Sequence, residues 1–280
     1  MEFTKIQGAG NDFIIINNMK QQLPIEKLPL IAKKICTRKV SIGADGFMAI
    51  DFPEGQDADF KMRFYNSDGS LGEMCGNGAR CIARYAYLNK IAGKKMTFET
   101  PAGIVVAEIE DGRLVRVKLN KPEVVKVNSD VEIDGVRYDC AYIELGNPGI
   151  PHAVVKYPGL KDIEVSKILD LGRKIRYYKD FPKGANVNFF EMVDDATAIV
   201  KTYERGVEDF TLACGTGSGS TAAALLLKGY VNTNKIKIVV PGGELFIEMK
   251  INNNSIDELF LIGDTNIIAI GQVIDEDLVM

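Results

Sequence analysis

Histidine is almost absent from this chain of 280 residues: His152 is the only one. A histidine-built metal site is therefore excluded, and a zinc site needs three or four ligands gathered from Cys, His or carboxylates. The five cysteines, Cys36, Cys75, Cys81, Cys140 and Cys214, include no CxxC pair, and nothing in their spacing suggests a metal. An odd cysteine count without an export signal argues against a disulfide framework. The opening Met-Glu-Phe-Thr-Lys lacks the basic-then-apolar layout of a signal peptide. Long hydrophobic runs are missing too, since Phe13 to Ile16 and Ala222 to Leu227 are far too short to span a bilayer. A net charge of -4 gives no basic surplus for nucleic acid. These absences point to a cytoplasmic protein with neither nucleic acid nor membrane as partner.

What remains is ordinary in bulk, with 46% hydrophobic and 26% charged residues, and long enough for two compact domains or one large one. Phe3 to Ile6 and Phe13 to Asn17 read as strands around the Gly8–Asp12 turn. Ile25 to Cys36 reads as a helix, Ala58 to Tyr65 as a strand, and Gly76 to Asn89 as a helix with small residues at its start. Strands follow over Met96 to Glu99, Ile104 to Glu110 and Leu114 to Leu119. The second half repeats this order. Strands are expected at Tyr142 to Leu145 and Ala153 to Tyr157, a helix at Val165 to Ile175, and strands at Val187 to Val193 and Ala198 to Glu204. A helix over Gly215 to Lys228 and strands near Ile236, Leu245 and Leu259 complete it.

The repetition extends to motifs. Each half carries a Cys-Gly-x-Gly that opens a helix, Cys75–Gly78 and Cys214–Gly217, at positions 139 apart (75 and 214). Pro101-Ala102-Gly103 matches Pro241-Gly242-Gly243, and Phe13-Ile14-Ile15 falls opposite His152-Ala153-Val154, at nearly the same spacing. Common spacing of three anchors predicts two α/β domains of one fold, descended from a duplication. The expected domains are 1–119 with about 265–280, the final strand returning to the first domain, and 120–264.

A thiol at a helix N-terminus sits among free N–H groups at the positive end of the helix dipole, which favours thiolate. The same groups form an anion site suited to a carboxylate. One such cysteine is only a candidate. Two related by pseudo-symmetry fit racemisation, in which one base removes the α-hydrogen and an acid on the opposite face returns one. The carbanion is stabilised if its carboxylate is held by the paired helix starts across a closed cleft. Packing is the commoner role of a buried cysteine, and it is the expected one for Cys36, Cys81 and Cys140. By itself His152 reads as a packed or surface histidine, and Glu204-Arg205 and Asn66 as solvated strand ends.

Phe3-x-Lys5-x-x-Gly8-x-Gly10-Asn11-Asp12-Phe13 resembles the N-terminal signature of the diaminopimelate epimerase family, as do Asn66-x-Asp68-Gly69-Ser70 and Glu73-Met74-Cys75-Gly76-Asn77-Gly78-Ala79-Arg80-Cys81. In the second half the resemblance continues through Glu204-Arg205-Gly206, Thr211-Leu212-Ala213-Cys214-Gly215-Thr216-Gly217 and Pro241-Gly242-Gly243. It covers essentially the whole chain. It implies two pseudo-symmetric α/β (α+β) domains, each a curved mixed sheet wrapped around a central helix. It implies interconversion of LL- and meso-diaminopimelate without pyridoxal phosphate, any other cofactor or metal, on the route to lysine and peptidoglycan, by a homodimer. Under it Cys75 and Cys214 are the acid/base pair. Gly76, Asn77, Gly215 and Thr216 hold the reacting carboxylate. Asn11, Asn66, Asn186, Glu204 and Arg205 bind the rest of the amino-acid substrate, with Arg205 a two-pronged donor to the distal carboxylate. Glu204 and His152 orient the amino group.

Three positions depart from the common family pattern. Ile150 stands where many members have an asparagine, and Asn147 reaches that role only if its loop folds back. Gly46 follows Asp45 where some members have glutamine, and the Glu204–Cys214 stretch is one residue longer. These departures touch substrate recognition and leave the two cysteines alone. They keep open a racemase of another amino acid, such as histidine or proline. A thiol hydrolase using one cysteine with His152 as base, and a binding protein that kept the cleft, are readings of other classes.

Overall fold

The computed structural model describes residues 1–55, 57–72, 75–253 and 255–274. Glu73 and Met74 of the first cysteine motif, and positions 275–280 of the expected first domain, lie outside the described residues. The chain divides into two compact units, Met1–Val117 with the segment from Gly263 onward, and Lys118–Ile262. The α/β class expected from the sequence is what the structure shows, with mixed sheets and few helices.

In the first unit, Glu2–Gly8 pairs antiparallel with Asn11–Asn17. The connection has only Ala9 (φ 51) and Gly10 (φ 86) at its centre. Positive φ at both central residues is what a tight two-residue hairpin requires, and it is cheapest at glycine. Asn11–Asn17 runs parallel to Gly46–Asp51, which pairs antiparallel with Phe60–Asn66, which in turn runs parallel to Lys95–Thr100. Gly103–Asp111 and Leu114–Leu119 follow antiparallel, and Asn266–Gln272 lies antiparallel against Glu2–Gly8 on its other side.

The Gly76–Leu88 helix packs on one face of this sheet and the Leu28–Ile35 helix on the other. Successive strand residues therefore enter different cores. Phe13, Ile15, Met48 and Ile50 pack with the longer helix, whereas Ile14, Ile16, Phe47 and Ala49 pack with the shorter one. Strands buried on both faces lose the polar alternation of half-exposed strands. That is why Gly46–Asp51 escapes the sequence reading. The expected helix over Ile25 to Cys36 splits into a 3-10 turn at Ile25–Lys27 and a helix at Leu28–Ile35, with Pro29 in the first helical turn, where its missing N–H costs nothing.

The second unit repeats the plan. Pro122–Lys126 pairs antiparallel with Cys140–Leu145, which pairs antiparallel with Ile150–Lys156. Next come Asn186–Asp194 in parallel, Thr197–Glu204 in antiparallel, and Lys235–Val240 in parallel. Gly243–Asn252 and Ser255–Asp264 complete the order. Pro122–Lys126 thus flanks its hairpin as Asn266–Gln272 flanks the hairpin of the first unit. Gly215–Leu227 is the central helix and is buried from Gly215 through Leu225 apart from Thr216. Small residues bring it close to the sheet: a Cβ at Gly219 would lie 2.9 Å from Leu119 and 3.0 Å from Leu259. The Leu169–Arg176 helix covers the other face with Val155, Val187, Phe189 and Tyr203.

Phe60 and Phe98 stack at 4.9 Å between centroids, both fully buried in the core of the first unit. Phe98→Ala should destabilise the protein by about 3–5 kcal/mol through lost burial and a residual cavity. Urea unfolding checks this, and a loss below about 1 kcal/mol contradicts the packing described.

Candidate active site

Both motif cysteines cap helices with sulfur. Cys75 is the N-cap of Gly76–Leu88, in extended backbone (φ -131, ψ 117), and its Sγ accepts the Gly78 N–H at 3.5 Å. Cys214 caps Gly215–Leu227 with nearly the same backbone (φ -120, ψ 112) and accepts the Gly217 N–H at 3.3 Å. Helix starts prefer Ser, Thr, Asp or Asn because a side-chain oxygen accepts such an N–H. Sulfur in place of such an oxygen accepts weakly as a thiol and strongly as a thiolate. Cys75 is half-buried, and Cys214 keeps 8% of its surface exposed. The third helical residue is a closely packed glycine in both. A Cβ at Gly78 would meet Met48 at 2.1 Å, and one at Gly217 would meet Asn188 Oδ1 at 2.3 Å and the Cys214 sulfur at 3.2 Å.

In the first unit the structure joins Asn11 to this helix start: Asn77 Nδ2 donates to Asn11 Oδ1 at 2.6 Å. Asn11 Nδ2 donates in turn to Asp45 Oδ2 at 3.2 Å. Asp12, next along the chain, accepts from the Asp45 N–H and is paired with Lys5 at 2.9 Å and with Arg38. Those two cations hold its carboxyl below the usual carboxylate range although burial opposes them. Gly76 and Asn77 are buried in the first helical turn. Arg80, one turn on, is wholly buried and donates back to the Gly76 carbonyl at 3.4 Å. Asn66 ends its strand opposite Gly46, and its amide donates to Ser70 Oγ at 3.0 Å. The Gly46 departure has a local cause: a Cβ there would lie 2.6 Å from the Phe64 ring and 3.0 Å from the Tyr65 carbonyl.

In the second unit His152, Asn186 and Arg205 are brought together. His152 and Asn186 are register partners on parallel strands. Asn186 Nδ2 donates to the Pro151 carbonyl at 3.1 Å, and its Oδ1 accepts the Arg205 N–H at 2.9 Å. The Arg205 guanidinium is exposed and donates to the Lys183 carbonyl at 3.2 Å. Burial raises the Glu204 carboxyl above its ordinary value. His152 is fully buried, which decides between the packed and the surface histidine that its sequence position alone allows. Burial first, and then the charge of Arg205, push its pKa down to about 3 against the bond from Asn188. Thr216 Oγ1 lies 3.5 Å from the Cys214 sulfur. Ile150 occupies the hairpin position in this unit that Asn11 occupies in the first, directly after the turn. Asn147 is exposed within the Gly146–Gly149 turn.

The other three cysteines are packed: burial pushes the thiols of Cys36, Cys81 and Cys140 up to about 12. Among the described residues no group of three His, Cys, Asp or Glu could hold a metal ion, and no helix is long and apolar enough to cross a membrane. Sequence reading passed over Asp45, Asn188 and Thr202. Asn188 was within reach, because it follows Asn186 by two along a strand and so shares its face. Asp45 and Thr202 gave no such signal, since only pairing across the sheet brings them to Asn11 and Asn188.

This fold is shared with solved structures of low sequence identity. A PhzF-family phenazine biosynthesis protein from Bacillus anthracis superposes with a TM-score of 0.71 at 14% identity, covering 98% of each chain. A hydroxyproline epimerase from Agrobacterium vitis superposes with a TM-score of 0.65 at 16% identity, covering 98% of this chain and 92% of its own. These likenesses define the fold class. Sequence comparison goes further: the model of the diaminopimelate epimerase family matches residues 3–125 and 145–268. The diaminopimelate epimerase of Aquifex aeolicus (strain VF5) is 40% identical over 99% of both chains. That of Archaeoglobus fulgidus is 40% identical, covering 88% of this chain and 89% of its own. The chain belongs to the diaminopimelate epimerase family, which places it among the amino-acid epimerases.

Two outcomes follow from this geometry. His152 ordinarily titrates near 6.5 and in the fold only at about 3. Between those values the unfolded chain binds the additional proton. The stability contributed by neutral burial is complete above pH 6.5 and is lost as pH falls toward 3. Unfolding free energies at about pH 4 and about pH 7 should therefore differ less in His152→Gln than in the parent. Gly217→Ala should destabilise the protein by about 1–3 kcal/mol, because the added Cβ would lie 2.3 Å from Asn188 Oδ1 at a buried helix start. Urea unfolding of the variant tests it, and an unchanged stability contradicts the contact.

Proposed function

We propose that this protein interconverts LL- and meso-2,6-diaminopimelate by a two-base cysteine mechanism, for lysine and peptidoglycan precursor synthesis, as a cytoplasmic homodimer. The observation that carries the reading is the duplicated cysteine cap, with the same backbone and the same N–H···S bond at both helix starts. A single nucleophile or a packing thiol gives no reason for two copies. In the forward direction one thiolate removes the α-hydrogen. The electron pair left on the α-carbon is delocalised into the carboxylate, and the other cysteine, as thiol, returns a proton to the opposite face. The two sulfurs end with their protonation states exchanged, which serves the reverse reaction. First-turn N–H groups at Gly76 and Asn77, and at Gly215 and Thr216, are the donors for the carboxylate as its charge grows. Asn11, Asn66, Asn186, Glu204 and Arg205 hold the remainder of the substrate, and His152 with Glu204 orients the amino group. An exposed guanidinium at Arg205 favours a substrate with a second carboxylate over histidine or proline.

Cys75→Ser and Cys214→Ser should each reduce turnover of LL-diaminopimelate by roughly 1000-fold or more, since general acid–base catalysis of this kind supplies factors of that order. In deuterated water the parent enzyme should place solvent deuterium at the α-carbon of the inverted product. Full activity in either serine variant rules out the two-base scheme. No turnover of LL-diaminopimelate, together with racemisation of another amino acid from a panel, rules out the substrate.

A further inference from the structure

A buried polar network in the second unit is left over by the two-thiol chemistry. Asn188 and His152 are both fully buried. Asn188 Oδ1 accepts from Thr202 Oγ1 at 3.0 Å. Its Nδ2 lies 3.4 Å from the Ala153 carbonyl and 3.2 Å from His152 Nδ1. A carbonyl oxygen can only accept, so the amide atom facing it is the NH2 group. The same NH2 then donates to His152 Nδ1, which must present a lone pair. In a neutral imidazole the proton is left on Nε2. That nitrogen is buried, with no hydrogen-bond partner among the described residues. The network is also seated against the cysteine helix, since the space beside Gly217 is filled by Asn188 Oδ1.

We propose that Asn188 is a positioning residue that locks His152 as the neutral Nε2–H tautomer, so that the ring serves the bound substrate as a hydrogen-bond donor and not as a base. The role in turnover rests on the epimerase reading above; the tautomer does not. Two features keep the ring neutral. Burial disfavours imidazolium, and the Arg205 cation adds to that. With Nδ1 already accepting and Nε2 already protonated, the ring has no lone pair left to take a proton. A buried N–H without an acceptor is costly, so the proposed ligand group is an acceptor, an oxygen or an amine lone pair of the amino acid. A Cys-His hydrolase needs the opposite tautomer at the nitrogen facing its thiol.

Because His152 is the only histidine, nitrogen-15 labelling of histidine gives the spectrum of one ring. In the free enzyme that ring should show protonated Nε2 and bare Nδ1, unchanged from about pH 5 to about pH 9. A protonated Nδ1, an imidazolium or an averaged tautomer signal in this range overturns the lock. Asn188→Asp replaces the donor with an acceptor. The variant should acquire a protonated Nδ1 and lose turnover of LL-diaminopimelate roughly 100-fold, the usual effect of removing one aligned donor. Lost turnover with the parent tautomer intact means that Asn188 only packs, and overturns the positioning role. The parent spectrum needs neither variant nor substrate, so it stands apart from any failure of the epimerase reading.

Discussion

A sulfur atom accepting a helix N–H is the interaction on which this structure turns. It fixes Cys75 and Cys214 in extended backbone at the start of a buried helix. At the third helical position stands a close-packed glycine, where an added Cβ would meet the end of Met48 in one unit and Asn188 in the other. An oxygen cap would hold the helix as well or better. Sulfur nonetheless stands at both helix starts, in a chain that belongs to the diaminopimelate epimerase family.

Around these caps the two units solve the same packing problem with different residues. Each surrounds a central helix with a mixed sheet and covers the other face with a short helix. The polar groups beside the caps are not duplicated. The first unit places Asn11 and Asn77 in a chain anchored on Asp45, and couples Asp12 to Lys5 and Arg38. The second has Ile150 in the place of Asn11 and builds inward instead, with His152, Asn186 and Asn188 on neighbouring strands. The two matching helix caps are thus set in different polar surroundings.

Much of the plan was legible because the relevant signals are local. The Gly8–Asn11 hairpin, the small-residue helix starts and the repeated spacing of the Cys-Gly-x-Gly motifs all lie within short windows. Gly46–Asp51 was not legible, since burial on both faces removes alternation and leaves a run too short to distinguish from other apolar segments. The short pairings at Pro122–Lys126, Val131–Ile133 with Val136–Tyr138, and Asp209–Thr211 were missed for a related reason. Few residues carry each of them, too few to show a period.

By itself the sequence determined the fold class, the internal repeat, the placing of both cysteines at helix starts and the family, because each depends on residue identity at nearby positions. Tertiary structure alone decided the state of His152. A lone histidine reads as either packed or surface-exposed, and strand pairing decides it by burying the ring beside Asn188 and under the field of Arg205. It also decided why Gly46 must be small, since Phe64 arrives from the neighbouring strand. Desolvation and steric contact depend on what packs against a residue, and no short stretch of sequence records that.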